Sequence, residues 1–276
     1  MTVALRSSAA GTKAWMTNAS GWVLGLFIVL CVAAILGSGF VPSIGMRDQW
    51  LLTLGLMALI LVAIGVSGDG RAWGTLIDDR NRFSLSRLQL VLWTLIGLSA
   101  FFAIALRRLA TDGVADPLAI SIPQELWWLM GISTTTFIGT PLLRSYKSTP
   151  TREPLPEERA ETLEQLGVRN AARGQPQPET SGLIVKNVSA KGARWTDLFM
   201  GEETGNATKP DMGKIQMFYF TIILVLTYVL ALMRTFKDPT LPSALPAISA
   251  SMIALLGISH AGYLANKAVP HSTEAP

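Results

Sequence analysis

"SRLQLVLWT" occupies Ser86–Thr94 and "GKIQMFYFT" occupies Gly213–Thr221. Both place a cation, an apolar residue and Gln at the start of an apolar run, and both reach an aromatic and a Thr after the same number of steps. At this 127-residue offset the match continues: Arg82 meets Lys209, Ser84 meets Asp211, Arg87 meets Lys214, Gln89 meets Gln216 and Arg107 meets Arg234. Upstream, "VSGDGRAWGTLI" (66–77) parallels "VSAKGARWTDLF" (188–199); downstream, "LMGISTTTFI" (129–138) parallels "LLGISHAGYL" (255–264). Several blocks in the same order predict two copies of one module.

The surrounding composition says what the module is made for. Of the 276 residues, 50% are hydrophobic and 15% charged, with mean hydropathy +0.39. A soluble domain carries roughly 25% charged residues. Six stretches approach the ~20 apolar residues that a membrane-crossing helix needs: 21–41, 50–68, 88–106, 123–143, 215–236 and 246–267. The first is longer than a signal-peptide core and no A-x-A site follows it, so it reads as an uncleaved span. Cys31, the single cysteine, permits no internal disulfide.

The expected fold is therefore an all-α integral membrane protein. Six transmembrane helices comprise an N-terminal helix pair (21–68) and two parallel-repeat two-helix modules (69–143 and 188–267). An arm (1–20), a linker with a short helix (144–187) and a tail (268–276) complete the chain. Cytoplasmic flanks are rich in Lys and Arg. Eighteen of these residues fall in the segments on the side of the N-terminus and five on the other, eleven of them between Arg144 and Lys214. Both termini and the long segment are expected in the cytoplasm. The net charge of +4 follows from this bias, so nucleic acid is not an expected partner.

Each helix entry has a physical reading. Ser84 and Asp211 are N-cap types. Arg82, Arg87, Lys209 and Lys214 would sit at the interface and meet anionic lipid head groups. Gln89 and Gln216 lie deeper and should each face another helix, because an amide facing lipid is costly. Trp73 on one side, and Trp195, Leu198 and Phe199 on the other, suit short helices lying on the inner leaflet or contacting a partner.

The returning helices carry small residues at steps of three and four: Gly131, Thr135 and Gly139, then Ala250, Ala254, Gly257, Ala261 and Ala265. Such faces pack helices closely, here between the two copies. Ser133, Thr134, Thr135, Thr136, Ser259 and His260 form an interhelical polar seam, and a pore lining is the alternative. Between the modules, "PEERAETLEQLGVRNAAR" reads as a helix flanked by Pro-rich linkers.

No Walker loop, HExxH, GxSxG or Cys/His cluster occurs, and neither a catalytic residue, a metal site nor a cofactor is expected. The duplicated RLQxxxWT…LGISxxxYL pattern resembles uncharacterised bacterial polytopic membrane proteins. That resemblance implies a multi-pass protein of the bacterial cytoplasmic membrane and carries no functional assignment. The functional expectation is a membrane scaffold or anchor that forms homo-oligomers or larger assemblies and recruits a cytoplasmic partner through 144–213. A channel lined by the fourth and sixth helices is the alternative.

Overall fold

Six apolar runs bounded by Pro, Gly and polar residues, and one charged amphipathic stretch between them, become seven helices in the computed structural model, which describes residues 21–238 and 240–275. They are α1 (Gly21–Ser38), α2 (Met46–Asp69), α3 (Leu85–Leu109), α4 (Gln124–Lys147), α5 (Pro156–Ala171), α6 (Met212–Thr235) and α7 (Ala250–Ala268). The expected arm, 1–20, lies outside the described residues. Four helices, α1, α2, α3 and α6, are long and apolar enough to cross a membrane. Helices α4 and α7 are of similar length but put Ser, Thr, His and basic residues on the faces they bury, which lowers their apolarity.

Helix α2 packs on α3, and α3, α4, α7 and α6 close a ring in that order. Helices with matching sequence, α3 with α6 and α4 with α7, are thus neighbours. The bundle interior is filled by large side chains, among them Trp50, Trp93, Leu129, Leu224, Tyr228 and Leu256. Trp50 is fully buried, donates its indole N–H to Ser99 at 3.0 Å and meets Phe236 edge-on at 5.4 Å.

The buried faces do not follow the letter-for-letter match. Inward positions of α6 lie 128 residues after those of α3: Gln89 corresponds to Met217, Trp93 to Thr221 and Ile96 to Leu224. On α4 and α7 the interval is 127, with Leu129 matching Leu256, Ser133 matching His260 and Thr136 matching Tyr263. Both intervals exceed the sequence match by one residue, a turn of about 100° around a helix. Gln216 is therefore exposed on the outer face of α6, contrary to its expected interhelical role, whereas Gln89 is fully buried.

The long segment is not a loose linker. Residues 148–211 fold into a cap over one end of the bundle. Helix α5 begins with Pro156 and two glutamates, favoured in a first turn, and buries Thr162, Leu166 and Asn170. Strands β1 (Glu179–Ser181) and β2 (Ile184–Lys186) pair antiparallel through a two-residue turn. Gly182 opens that turn at φ +55°, and a Cβ there would lie 2.6 Å from the Lys147 carbonyl oxygen, so the hairpin sits directly on the end of α4. The C-terminal stretch is stitched on by Leu155 N–H to the Thr273 carbonyl (2.9 Å) and Ala275 N–H to the Glu153 carbonyl (2.8 Å).

Two 3-10 turns, Gly74–Leu76 and Trp195–Leu198, replace the expected leaflet-bound helices. Leu198 is buried in a cluster with Leu76, Ile77, Phe83 and Met217, and Phe199 packs against it, edge-on to Phe218. Those two residues are core because the turn folds inward over the entries of α3 and α6. Trp73 and Trp195 stay half-exposed and touch each other edge-on at 5.5 Å, with Trp195 stacked on Phe83 at 4.4 Å.

Candidate functional site: a polar column ending in a buried ion cluster

Steps of three and four on α4 put Ser133, Thr136, Thr140, Arg144 and Lys147 on one stripe. Ser259, His260, Tyr263 and Lys267 form the matching stripe on α7. All are buried, and the helices face each other, so a polar column runs from mid-bundle to the cap.

Its upper part joins four helices by hydrogen bonds of definite sense. The Thr136 hydroxyl donates to the Ile132 carbonyl (3.0 Å), so its oxygen accepts from His260 Nδ1–H (2.6 Å). His260 Nε2 then accepts from the Gln89 amide at 3.3 Å. The second Gln89 N–H donates to Thr221, whose hydroxyl donates to the Met217 carbonyl at 2.8 Å. This chain fixes the His260 tautomer, since a neutral imidazole donates at one nitrogen and accepts at the other. The oxygens of Ser133 and Ser259 and the carbonyl oxygen of Gln89 are buried without hydrogen-bond partners among the described residues. Thr134 and Thr135, expected in the same seam, are exposed on the outside of α4.

The small-residue faces are also turned outward. Gly131, Thr135, Ala250, Ala254 and Ala261 are exposed and, with partly buried Gly257, line a groove of about 610 Å³ between α4 and α7, with Trp127 and Trp128 at one end. Only the glycines nearest the seam share in the α4–α7 contact, a Cβ at Gly257 lying 3.7 Å from Ile132 and one at Gly139 lying 3.5 Å from Leu264; the buried stripe beside them makes the rest.

At the cap end the column becomes ionic. Glu202 receives Lys214 at 3.0 Å, Arg80 at 3.3 Å, Arg144 at 3.5 Å and Lys267. Asp78 is held by Arg80 at 2.7 Å and Arg144 at 3.2 Å. Lys147 uses all three ammonium protons, on Glu203 and on the carbonyls of Lys267 and Val269. Glu203 also accepts the His271 backbone N–H at 2.8 Å. Each of these side chains is buried or nearly so. Burial alone would raise the Glu202 carboxyl, but Arg80, Lys214, Lys267 and Arg144 outweigh it and hold it well below the usual carboxylate range. For Asp78 the same opposition, burial against Arg80 and then Arg144, lowers the value from 3.8 to about 2.

Arg82 and Lys214 are thus not at a lipid interface. Arg82 is buried, pairing with Asp197 at 3.2 Å and donating to the Gly201 carbonyl at 3.3 Å. Lys214 donates to the Met200 carbonyl at 2.7 Å besides meeting Glu202. The folded segment 188–211 brings carboxylates over the helix entries and takes these cations out of solvent. Arg87 remains half-buried and Lys209 exposed, so the four form no common surface. Asp211 caps α6 by accepting the Lys214 backbone N–H at 3.2 Å. Ser84 does not cap α3, because its hydroxyl is engaged with that of Ser86 at 3.0 Å.

Sequence reasoning missed Asp78, Arg80, Arg144, Lys147, Glu202, Glu203 and Lys267. The signal available was the combination of basic residues at the ends of the apolar runs with "GEET" at Gly201–Thr204, an acidic pair with no apolar run of its own.

Two predictions arise here. Gln89→Leu should cost about 1–3 kcal/mol by leaving the His260 acceptor unpaired, whereas Gln216→Leu, on the outer face, should change thermal stability by less than about 0.5 kcal/mol. Equal effects in melting of the purified protein would refute the assigned hydrogen-bond chain. The second concerns pH. Asp78 and Glu202 are both depressed in the folded state, so their contribution is complete above the ordinary carboxylate range and is lost as pH falls from about 4 towards 2. For Asp78 alone the shift amounts to roughly 2 kcal/mol. Proteolysis of residues 148–211 should be flat between pH 5 and 8 and rise steeply below pH 4; a rise centred near pH 6 would contradict the assignment.

Comparison with known proteins finds no matching family, curated protein or solved structure for this chain.

Proposed function

We propose that this chain is a multi-pass scaffold of the bacterial cytoplasmic membrane, a bundle of six spanning helices that holds a folded cap in the cytoplasm for a protein partner. The observation that carries this reading is the fusion of cap and bundle. Arg144, Lys147, Lys214 and Lys267, at the ends of α4, α6 and α7, are cross-linked through Glu202 and Glu203 of the cap. A platform rigid with respect to its membrane helices is what an anchor needs, and a tethering linker would need none of these buried ions.

Spanning by α4 and α7 is supported by their place in the ring, where they pack along α3 and α6. The basic residues gathered at the cap end support a cytoplasmic cap. A two-module origin is supported by the paired inward faces and by matching entries: a 3-10 turn, a β-bridge (Ile77 with Phe83, Met200 with Pro210) and then the helix. Outward small residues on α4 and α7 offer a second copy a close-packing face. Helix α5 offers the partner its outer side, where Val168 is 68% exposed beside Leu163 and Ala171. The large side chains filling the bundle weigh against a pore within one chain.

The test has two arms. In liposomes holding the purified protein, ion conductance should equal that of protein-free vesicles, and a partner co-purifying from membranes should be lost on Val168→Glu with the melting temperature unchanged. Conductance above the control, reduced by bulky substitutions at Thr135 or His260, would overturn the scaffold in favour of a channel.

A further inference from the structure

A cavity of about 270 Å³ lies between α3 and α4 in the half of the bundle away from the cap. Trp93, Phe101, Trp127 and Tyr228 supply aromatic walls, and Leu126 and Leu245 close it. Two observations mark it as more than a packing defect. Tyr228 is 2% exposed, yet its hydroxyl has no hydrogen-bond partner among the described residues. Leaving a buried hydroxyl unpaired costs about 1–3 kcal/mol, and a Phe at this position would fill the same space without that cost. The second is the position of the mouth. Leu98 and Trp127 line the cavity and are 47% and 56% exposed on the apolar outside of the bundle, so the opening, on the spanning of α4 proposed above, faces the bilayer and not solvent.

These features restrict the occupant. An ionised head group is excluded by the cost of burying a charge among apolar walls. A sugar or other polyol would leave most of its hydroxyls unpaired. A lone water would find one polar partner where it needs two to four. What suits the walls is a neutral, flat ring, because aromatic rings stack on one another favourably. What suits Tyr228 is one acceptor oxygen on that ring, since a phenol is a good donor. The volume falls just under the ~300–1,000 Å³ of whole-ligand pockets, so a ring enters while an apolar tail stays in the lipid.

The geometry points to a binding site for a membrane-dissolved ring carbonyl of the quinone class, entering between α3 and α4 and accepting a hydrogen bond from Tyr228. The site is one of binding, and no electron transfer is assigned to it.

The full chain in phosphatidylcholine nanodiscs is titrated with ubiquinone-1, a benzoquinone with a single isoprenoid unit, and Trp emission is followed against protein-free nanodiscs. Saturable quenching is expected, because Trp93 and Trp127 form the walls. Tyr228→Phe should weaken binding about tenfold, the loss of one hydrogen bond, without lowering the melting temperature. Gly97 also lines the cavity, and a Cβ there meets nothing within 4 Å, so Gly97→Leu should fold normally and abolish saturation. An alkylbenzene carrying the same tail should bind wild type and Tyr228→Phe alike. The proposal is overturned by the absence of saturation in wild type, by unchanged affinity in Tyr228→Phe, or by wild-type binding in a folded Gly97→Leu. A straight-chain alcohol that binds as well as the quinone with the same Tyr228 dependence would overturn the assignment to a ring.

Discussion

Glu202→Gln should release the cap from the bundle. The substitution keeps the shape of the side chain and removes its charge. Arg80, Arg144, Lys214 and Lys267 all converge on this carboxylate and all are buried. Without it, Arg80 and Arg144 retain Asp78, Arg144 also retains Asp79, and Lys214 and Lys267 are left with neutral acceptors such as the Met200 carbonyl and the Tyr263 hydroxyl. Removing one partner of a buried ion pair costs about 3–5 kcal/mol, because the remaining charge is stranded in a poor solvent. Hydrogen exchange across residues 148–211 should therefore accelerate more than ~100-fold, at a factor of ten per ~1.4 kcal/mol. Glu164→Gln, which alters an exposed carboxylate on α5, is the control and should change exchange by less than about threefold. If Glu202→Gln behaves like the control, the ion cluster is not what holds the cap.

Lys147→Met should be nearly as damaging, by a different route. The ammonium of Lys147 bonds the carbonyls of Lys267 and Val269 at the end of α7, where helix carbonyls lack intrahelical partners. Its third proton meets Glu203. Methionine fills the space and strands both carbonyls and the carboxylate, for a loss of about 3–5 kcal/mol. Glu203→Gln alone should also destabilise. The double substitution should be less harmful than the two losses added, by about 0.5–3 kcal/mol, because the second change removes the charge that the first left unpaired. Strict additivity in chemical unfolding would mean that Lys147 and Glu203 act separately. Lys147→Arg is not expected to rescue, since a planar fork cannot point three protons at three acceptors set around a point charge.

Of the residues on which the sequence placed head-group contacts, Lys214 joins this same cluster. Lys214 was legible as a cation three residues after a helix cap, and Asp211 does cap that helix. The same pattern at Ser84 and Arg87 is occupied otherwise: Ser84 engages Ser86 and Arg87 stays half-buried, while Arg82, two residues before the cap, pairs with Asp197. A cation at the edge of an apolar run can satisfy itself on a phosphate or on a carboxylate brought from elsewhere, and local sequence does not distinguish the two. Asp197 is 115 residues from Arg82, and Glu202 is 58 from Arg144.

Hydrophobic length and breakers in the sequence were enough to place the helices, because each closes its own backbone hydrogen bonds within the segment and apolar runs of that length have little else to form. Composition also located Gln89 and His260 as polar groups inside apolar helices, where each needed a partner. Which face of each helix turned inward was decided only by packing. One residue of offset rotates a side chain by about 100°, enough to bury Gln89 and expose Gln216 from the same motif. The cap, too, belongs to the tertiary structure alone. Residues 148–187 have few apolar residues and read as a linker with a short helix, 188–211 read as the start of the second module, and the order of both comes from carboxylates neutralising cations delivered by α4, α6, α7 and the segment before α3, an arrangement without a local signature because charge pairing depends on distance in space and not on separation in sequence.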